Sequence, residues 1–450
     1  MSLTTIVFVF IYVIAIILTL YHPMYGILLY FFEWHNHPPY WWWGRELPDP
    51  RWSFLVAVLI VVSAIINRKK LKQFADFEFK PLIWLLLIVI NSYVVSYLLA
   101  IDPLQSYKKS EILFKLAVNY FLMIYIIRNP KDYKALIFIL LLCVANFGRV
   151  AWEQGSNRDL GVIAPGATSG NLIASYMMTI VPLYAVSFLQ KNKWLKVFVI
   201  ISLPFVLNAL ILENSRGTIL GLASMGVIAP FIVKGKMRFR VIIGLAFGVI
   251  MFLQLTNEQF WNRQSTTIEY KKEHSAMSRI WLWKGALRFL NDYPFGGGGD
   301  GWIVLSTEYV PEMNNNLIEK DKTVHNTFLN VATDWGYIGL ILYLGFLIST
   351  YMTMMRVKRD SKHLPNGHFY NIQIIGLILA LSGGLVAGFF SNRQYAENFF
   401  WFSTFAVALR NMQKNELKEF EEDQKSINKE GILSEVEVDP LLSPNPEVES

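Results

Sequence analysis

Long apolar blocks separated by short polar loops run through most of the chain. They fall at 56–66, 82–100, 112–127, 135–150, 172–189, 195–212, 218–233, 241–255, 338–355, 372–390 and 399–409, with 4–20 and 26–32 ahead of them. A helix needs about 20 residues to cross a bilayer, so the shorter blocks must be extended by their flanks. Lipid tolerates only helices or closed barrels, because every backbone polar group must be satisfied inside the segment or barrel. The pattern therefore predicts an all-α integral membrane protein, a polytopic bundle of about 12 transmembrane helices. Residues 4–20 carry no basic leader and no small-residue cleavage site, so they read as a first helix rather than a signal peptide. Whether 4–20 and 26–32 make one broken crossing or two is left open by the sequence.

The loops add sidedness. "NRKKLKQF", "RNPKDYK", "QKNKWLK", "KGKMRFR" and "RVKRDSKH" alternate with less basic loops, and excess Lys and Arg marks the cytoplasmic side. The other side then holds 34–51, 101–110, 151–170, 213–217, 257–324 and 391–397. Four regions follow: transmembrane helices over 1–256, a large periplasmic loop over 257–324, further transmembrane helices over 325–411, and a charged, Pro-containing tail over 412–450 expected to be disordered and cytoplasmic. The large loop contains "SAMSRIWLWKGALRFL", which places Ile280, Trp283, Ala286, Leu287 and Leu290 on one face of an interfacial helix.

Composition agrees with this picture. The 450 residues are 54% hydrophobic and 17% charged. The net charge of +7 does not point to nucleic acid, because the basic residues sit in the short loops between blocks. Cys143 is the single cysteine, which excludes an internal disulfide.

The candidate chemistry lies in the outer loops. Arg216 opens an apolar block in "ENSRGTILGLASMG", against the positive-inside bias. Its planar fork suits phosphate, while Gly217 and Gly221 equally suit close helix packing. Arg279 precedes the apolar face of the loop helix and could equally snorkel to lipid headgroups. Arg393 lies in the turn "FFSNRQYAENFFW", where simple solvation of the turn is the alternative. The glycines of "NDYPFGGGGDGW" fit a flexible turn, or alternatively a backbone that approaches a ligand closely; they are followed by no Gly-Lys-Ser/Thr and make no phosphate loop. The five tryptophans of "EWHNHPPYWWWGRELPDPRW" predict an aromatic belt at the outer interface, and His35 and His37 are too few for a metal site. His325 ends the longest outer loop, and Asn326, Asn330 and Asp334 follow at i, i+4 spacing in "KTVHNTFLNVATDWGYIGL". A histidine suits general-base work near neutrality, and a helix cap is the bland alternative. No Asp-x-Asp pair or HExxH is present in the membrane part or outer loops, so no metal site is expected.

Three of these pieces, "NSRGT", "SAMSRIWLWKGALRFLNDYPFGGG" and "VHNTFLNVATDWGYIGL", resemble in order the motifs of the O-antigen ligase and polymerase superfamily. The glycine-rich and tryptophan-rich stretches also resemble its exosortase-associated subgroup of O-glycosylation ligases. The resemblance implies a metal-independent, cofactor-free glycosyltransferase of the GT-C-like type in the bacterial inner membrane, with its site facing the periplasm. The implied donor is a glycan on undecaprenyl pyrophosphate, and the acceptor a glycan, lipid or protein. By this resemblance Arg216 and Arg279, with Arg393 as a less direct counterpart, engage the pyrophosphate. His325 is the catalytic histidine, and Asn326, Asn330 and Asp334 support it. A polymerase using the same donor, and a transporter of the lipid-linked glycan, are the alternative functions. A transporter would place its charges near the bilayer midplane and often shows repeated halves; here they cluster at one surface.

Overall fold

A computed structural model describes residues 2–71, 76–155, 160–256, 258, 260–261, 274–314 and 322–436. Ten helices come before the large loop. They are α1 (Leu3–Tyr21), α2 (Pro23–His35), α3 (Trp52–Ile66), α4 (Lys80–Leu98), α5 (Pro103–Ile126), α6 (Pro130–Gln154), α7 (Gly170–Phe188), α8 (Lys193–Glu213), α9 (Arg216–Ile232) and α10 (Lys236–Leu255). The loop contains α11 (His274–Asp292), α12 (Gly301–Tyr309) and α13 (Pro311–Asn314). Then follow α14 (Thr327–Asp360), α15 (Gly367–Gly388) and α16 (Glu397–Val436). Among the described residues, eight helices are long and apolar enough to cross a membrane, two more are apolar but shorter, and no strand forms beyond one Ala164–Ala167 bridge. The chain is an all-α polytopic membrane protein.

Local chemistry starts and stops these helices. Asp102, Asn129, Asn192 and Asn326 each accept a backbone N–H as N-cap, and Pro103 and Pro130 occupy the first turn, where the missing N–H costs nothing. Helices α7 and α15 form the centre, each with 72% of its apolar window buried by protein, whereas α10 has none. Gly217 and Gly221 of α9 set the approach to α15: a Cβ on Gly221 would meet the Gly383 carbonyl at 2.8 Å. The packing reading of this glycine pair therefore holds.

The ends of the bundle differ in charge. At one end Lys358 Nζ reaches the Ile232 carbonyl (2.7 Å), Arg410 pairs with Asp360 (2.7 Å) and Lys414 with Asp76 (2.9 Å). These contacts bring the segments around 76, 232 and 358–360, next to three of the basic loops, to one end with the middle of α16. The N-terminal question is answered by two bonds. Thr5 donates to the Trp43 carbonyl (2.7 Å), and Ser63 donates to the Thr19 carbonyl. Helix α1 thus runs antiparallel to α2 as a separate helix, and it begins at the end opposite the basic loops.

Three expectations change. Trp34, Trp41, Trp43 and Trp52 are buried against Phe8, Tyr12, Phe147 and Tyr176, and only Trp42 is exposed. Four of the five indoles therefore pack inside the protein rather than forming a lipid-facing belt. On α11 the buried face is Leu282, Ala286, Phe289 and Leu290, and Leu287 is 52% exposed. The face is rotated because Trp302, Val310, Met313 and Val324 build a separate small core against it. The tail is not irregular over 412–436. Helix α16 continues to Val436, anchored where Glu416 accepts from Tyr370 (2.8 Å) and from the Asn366 N–H (2.9 Å). Residues 437–450 lie outside the described residues.

The antiparallel α1–α2 hairpin predicts that the start of the chain shares a side with the large loop. In a Cys143→Ser background, cysteines at Leu3 and Glu308 should react with a membrane-impermeant maleimide from the periplasm, and one at Lys236 should not. Labelling of Lys236 together with Leu3 would invert the hairpin.

Candidate active site at the end of the bundle away from the basic loops

Helix α14 is two helices joined at a break. Gly336 has φ 73° and ψ −178°, outside the helical region. Phe328 and Tyr343 are 15 residues apart, which in a straight helix is about 22 Å. Yet their ring centroids lie 6.4 Å apart, a gap that two aromatic side chains could not close along a straight rod. The half 327–335 is therefore folded back sharply on the half 337–360, and Leu329 packs on the small loop core instead of running into the bundle.

A broken helix leaves polar groups without partners, which is costly in a membrane protein. The glycine run supplies them. Gly297 N–H donates to the Thr333 carbonyl (2.9 Å) and Gly298 N–H to that of Asp334 (3.0 Å), while Tyr337 N–H donates to the Pro294 carbonyl (3.0 Å). Asn91 of α4 donates to the Trp335 carbonyl (3.0 Å). Only glycines allow this approach: a Cβ on Gly296 would meet Gly336 N at 2.5 Å, and one on Gly336 would meet the Phe295 carbonyl carbon at 2.3 Å. The run is thus neither a flexible turn nor a ligand cradle, but a backbone plug in the break.

Around this break the sequence-predicted residues come together unequally. His325 stands just before Asn326, the N-cap of the folded half. Its φ of 53° is uncommon for a residue with a side chain. Asn326 caps the half-helix, accepting from the N–H groups of Phe328 (3.0 Å) and Leu329 (3.1 Å). Asn330 donates to Asp334 Oδ2 (3.2 Å), and both are buried. The predicted polar face is real, and it points into protein. Burial, then the nearby charges of Arg279 and Lys322, push the His325 imidazole down to about 4. The Arg279 guanidinium lies 5.9 Å from the Phe390 ring centre. Gly217 also lies against Phe390: a Cβ there would be 3.3 Å from the Phe390 Cβ. Arg216, the first residue of α9, is its chain neighbour.

Arg393 is placed differently from an open phosphate fork. It is 3% exposed, and one terminal nitrogen donates to the Leu172 carbonyl (2.8 Å), with Asn398 Oδ1 3.5 Å from the other. Burial lowers its guanidinium to about 10, so it stays charged near neutrality. Sequence reasoning missed Thr327, Gln394 and Tyr395, which join the turn after α15 to the folded half. It also missed Lys109, whose ion pair with Asp300 (2.9 Å) and position 5.4 Å over the Tyr395 ring fasten α5 to the loop. His35 and His37 are engaged by Tyr176 and Glu33. Among the described residues no three His, Cys, Asp or Glu side chains are grouped to hold a metal.

The fold and the charged cluster define a multi-pass membrane protein with a polar site at the end of the bundle away from its basic loops. Residues 197–344 match the family model described as O-antigen ligase, so over that segment the chain is similar to the O-antigen ligase superfamily. The match supports a membrane enzyme that handles glycans. It spans Arg216, Arg279, His325, Asn326, Asn330 and Asp334 and leaves Arg393 outside. No curated protein matches the chain.

The plug predicts a sharp contrast among glycines. Gly336→Ala and Gly296→Ala force a side chain into a glycine-only backbone and a closed space, so each should cost at least about 1–3 kcal/mol and lower the melting temperature. Gly244→Ala, where nothing lies within 4 Å, should leave melting unchanged or raise it slightly. Equal melting of all three proteins would contradict the interlock.

Proposed function

We propose that the protein transfers a glycan from undecaprenyl pyrophosphate to an acceptor hydroxyl or amide at the periplasmic face of the bacterial inner membrane. The observation that carries this reading is the placement of His325. It is a half-buried imidazole kept neutral beside Arg279, with Phe390 linking Arg279 to the mouth of α9, where Arg216 stands. The arginines hold the pyrophosphate by charge-assisted hydrogen bonds. Arg393, already engaged by Leu172, contributes its buried positive charge rather than a free fork. His325 takes the proton from the acceptor. The acceptor atom then bonds to the anomeric carbon as the carbon–oxygen bond to pyrophosphate breaks, with its electron pair leaving on the pyrophosphate oxygen. A single displacement inverts the sugar. Preorganised positive charge opposite the departing pyrophosphate is the larger catalytic contribution.

The test is turnover of a lipid-linked glycan by purified full-length protein, paired with binding of undecaprenyl pyrophosphate. His325→Ala should lower turnover by ~10²-fold or more and spare binding. Arg279→Ala should weaken binding, and Arg216→Lys should not restore full activity, because a lysine lacks the fork. Full turnover by a folded His325→Ala protein would remove the histidine from the reaction.

The pH dependence follows from the same histidine. Its pKa is lowered from 6.5 to about 4, so the proton-accepting form persists at pH values where a free histidine would be charged. The acid limb of kcat/KM, which reports the free enzyme, should therefore lie near pH 4. Bound pyrophosphate offsets the charge of Arg279, so the limb of kcat should lie higher. A kcat/KM limb at 6.5 would show a histidine exposed to water.

A further inference from the structure

The turn between α15 and α16 lies along the folded half 327–335 and is fastened to both of its ends. At the first end, Thr327 Oγ1 donates to the Ser391 carbonyl (2.8 Å) and accepts from the Arg393 N–H (3.0 Å). At the other, Asp334 Oδ2 accepts from the Tyr395 hydroxyl (2.8 Å), with the Gln394 amide 3.4 Å away. Gly388 closes against the same threonine: a Cβ there would stand 3.1 Å from Thr327 Oγ1. We propose that residues 391–395 form a splint, and that Thr327 and Tyr395 are positioning residues that fix where His325 stands relative to Arg279. This rests on the glycosyl-transfer reading above and adds residues to it.

The argument is mechanical. A half-helix of nine residues is too short to hold itself in water or against thermal motion. Its N-terminal neighbour His325 has a left-handed backbone, a conformation that persists only when the surroundings over-determine it. The Asn326 side-chain bonds stay within the half-helix, to the Phe328 and Leu329 N–H groups. Thr327 ties the half-helix to the turn and uses its hydroxyl fully, once as donor and once as acceptor. Burial beside Asp334 holds the Tyr395 hydroxyl well above the ordinary phenol range, so it remains the donor in its bond. The two fastenings sit seven residues apart, about two turns of helix, so the half can neither slide nor swing while both are made. The charged groups that act on His325 are Arg279 and Lys322. Its distance from them is what the splint sets.

The experiment uses full-length protein in lipid nanodiscs. Thr327→Val keeps the shape and removes both bonds. It should lower turnover by ~10–10²-fold, the scale of an ångström-sized misplacement, with undecaprenyl pyrophosphate still bound. Thr327→Ser should restore turnover, and Tyr395→Phe should act in the same direction as the valine. A second readout needs no substrate: the rate of diethylpyrocarbonate modification at His325, followed by mass spectrometry across roughly pH 5–8, reports the neutral imidazole. In the wild type it should be flat over that range, and in Thr327→Val its midpoint should rise toward 6.5 as water reaches the ring. If Thr327→Val keeps wild-type turnover and a flat profile while His325→Ala is inactive, the splint is overturned. Loss of turnover with the profile unmoved would also overturn it, leaving Thr327 a folding role alone. If His325→Ala is fully active, the transfer reading fails instead, and the modification profile still judges the splint.

Discussion

The end of this protein away from its basic loops depends on two glycine backbones in contact. Gly336 occupies the space a side chain on Gly296 would need, and the backbone of Phe295, next to Gly296 in the chain, occupies the space one on Gly336 would need. That contact lets the chain break α14 without leaving its carbonyls unbonded. Because the helix breaks, its first nine residues can turn away from the bundle and carry His325 to the large loop instead of to the bilayer. Because the plug comes from the segment directly after α11, Arg279 is held in the same unit. One steric fact thus joins the loop arginine, the histidine and the membrane helix.

Much of the architecture was legible because lipid leaves the chain few choices. Blocks of apolar residues had to be helices, and alternating basic loops had to gather at one end. The polar spacing of Asn326, Asn330 and Asp334 was readable because helical geometry makes it so. What the periodicity could not show was the direction of that face. It turns inward to Tyr395 and Gln394, which lie some sixty residues away in sequence. Nor could it show a helix that breaks. "DWGYIGL" reads as unbroken helix, and the break appears only when the glycine run is seen to fill it.

Glycine spacing shows the same limit. Gly217 with Gly221 and Gly244 with Gly248 share a four-residue interval. The first pair packs against α15, and the second has nothing within 4 Å. Spacing reports that a close approach is possible, not that a partner is there. The tryptophans miss for a related reason. An indole suits both a membrane interface and a packed core, and the presence of Phe8, Tyr12 and Tyr176 nearby in space, not in sequence, decides for the core.

Helix α10 touches α8 and α9 and buries no residue of its own. The protein holds it only lightly, through the Arg238 bond to the Pro230 carbonyl and the partly buried Met237, Val241 and Leu245, so its tilt and depth respond to the acyl chains around it, through mismatch costs of fractions of a kcal/mol per ångström. Lipid is in this sense a structural subunit. Extraction into detergent removes most of what surrounds α10 and leaves intact the protein neighbours of α7 and α15. A delipidated preparation can then keep a well-packed centre while the helix that leads into the large loop loses its bearing.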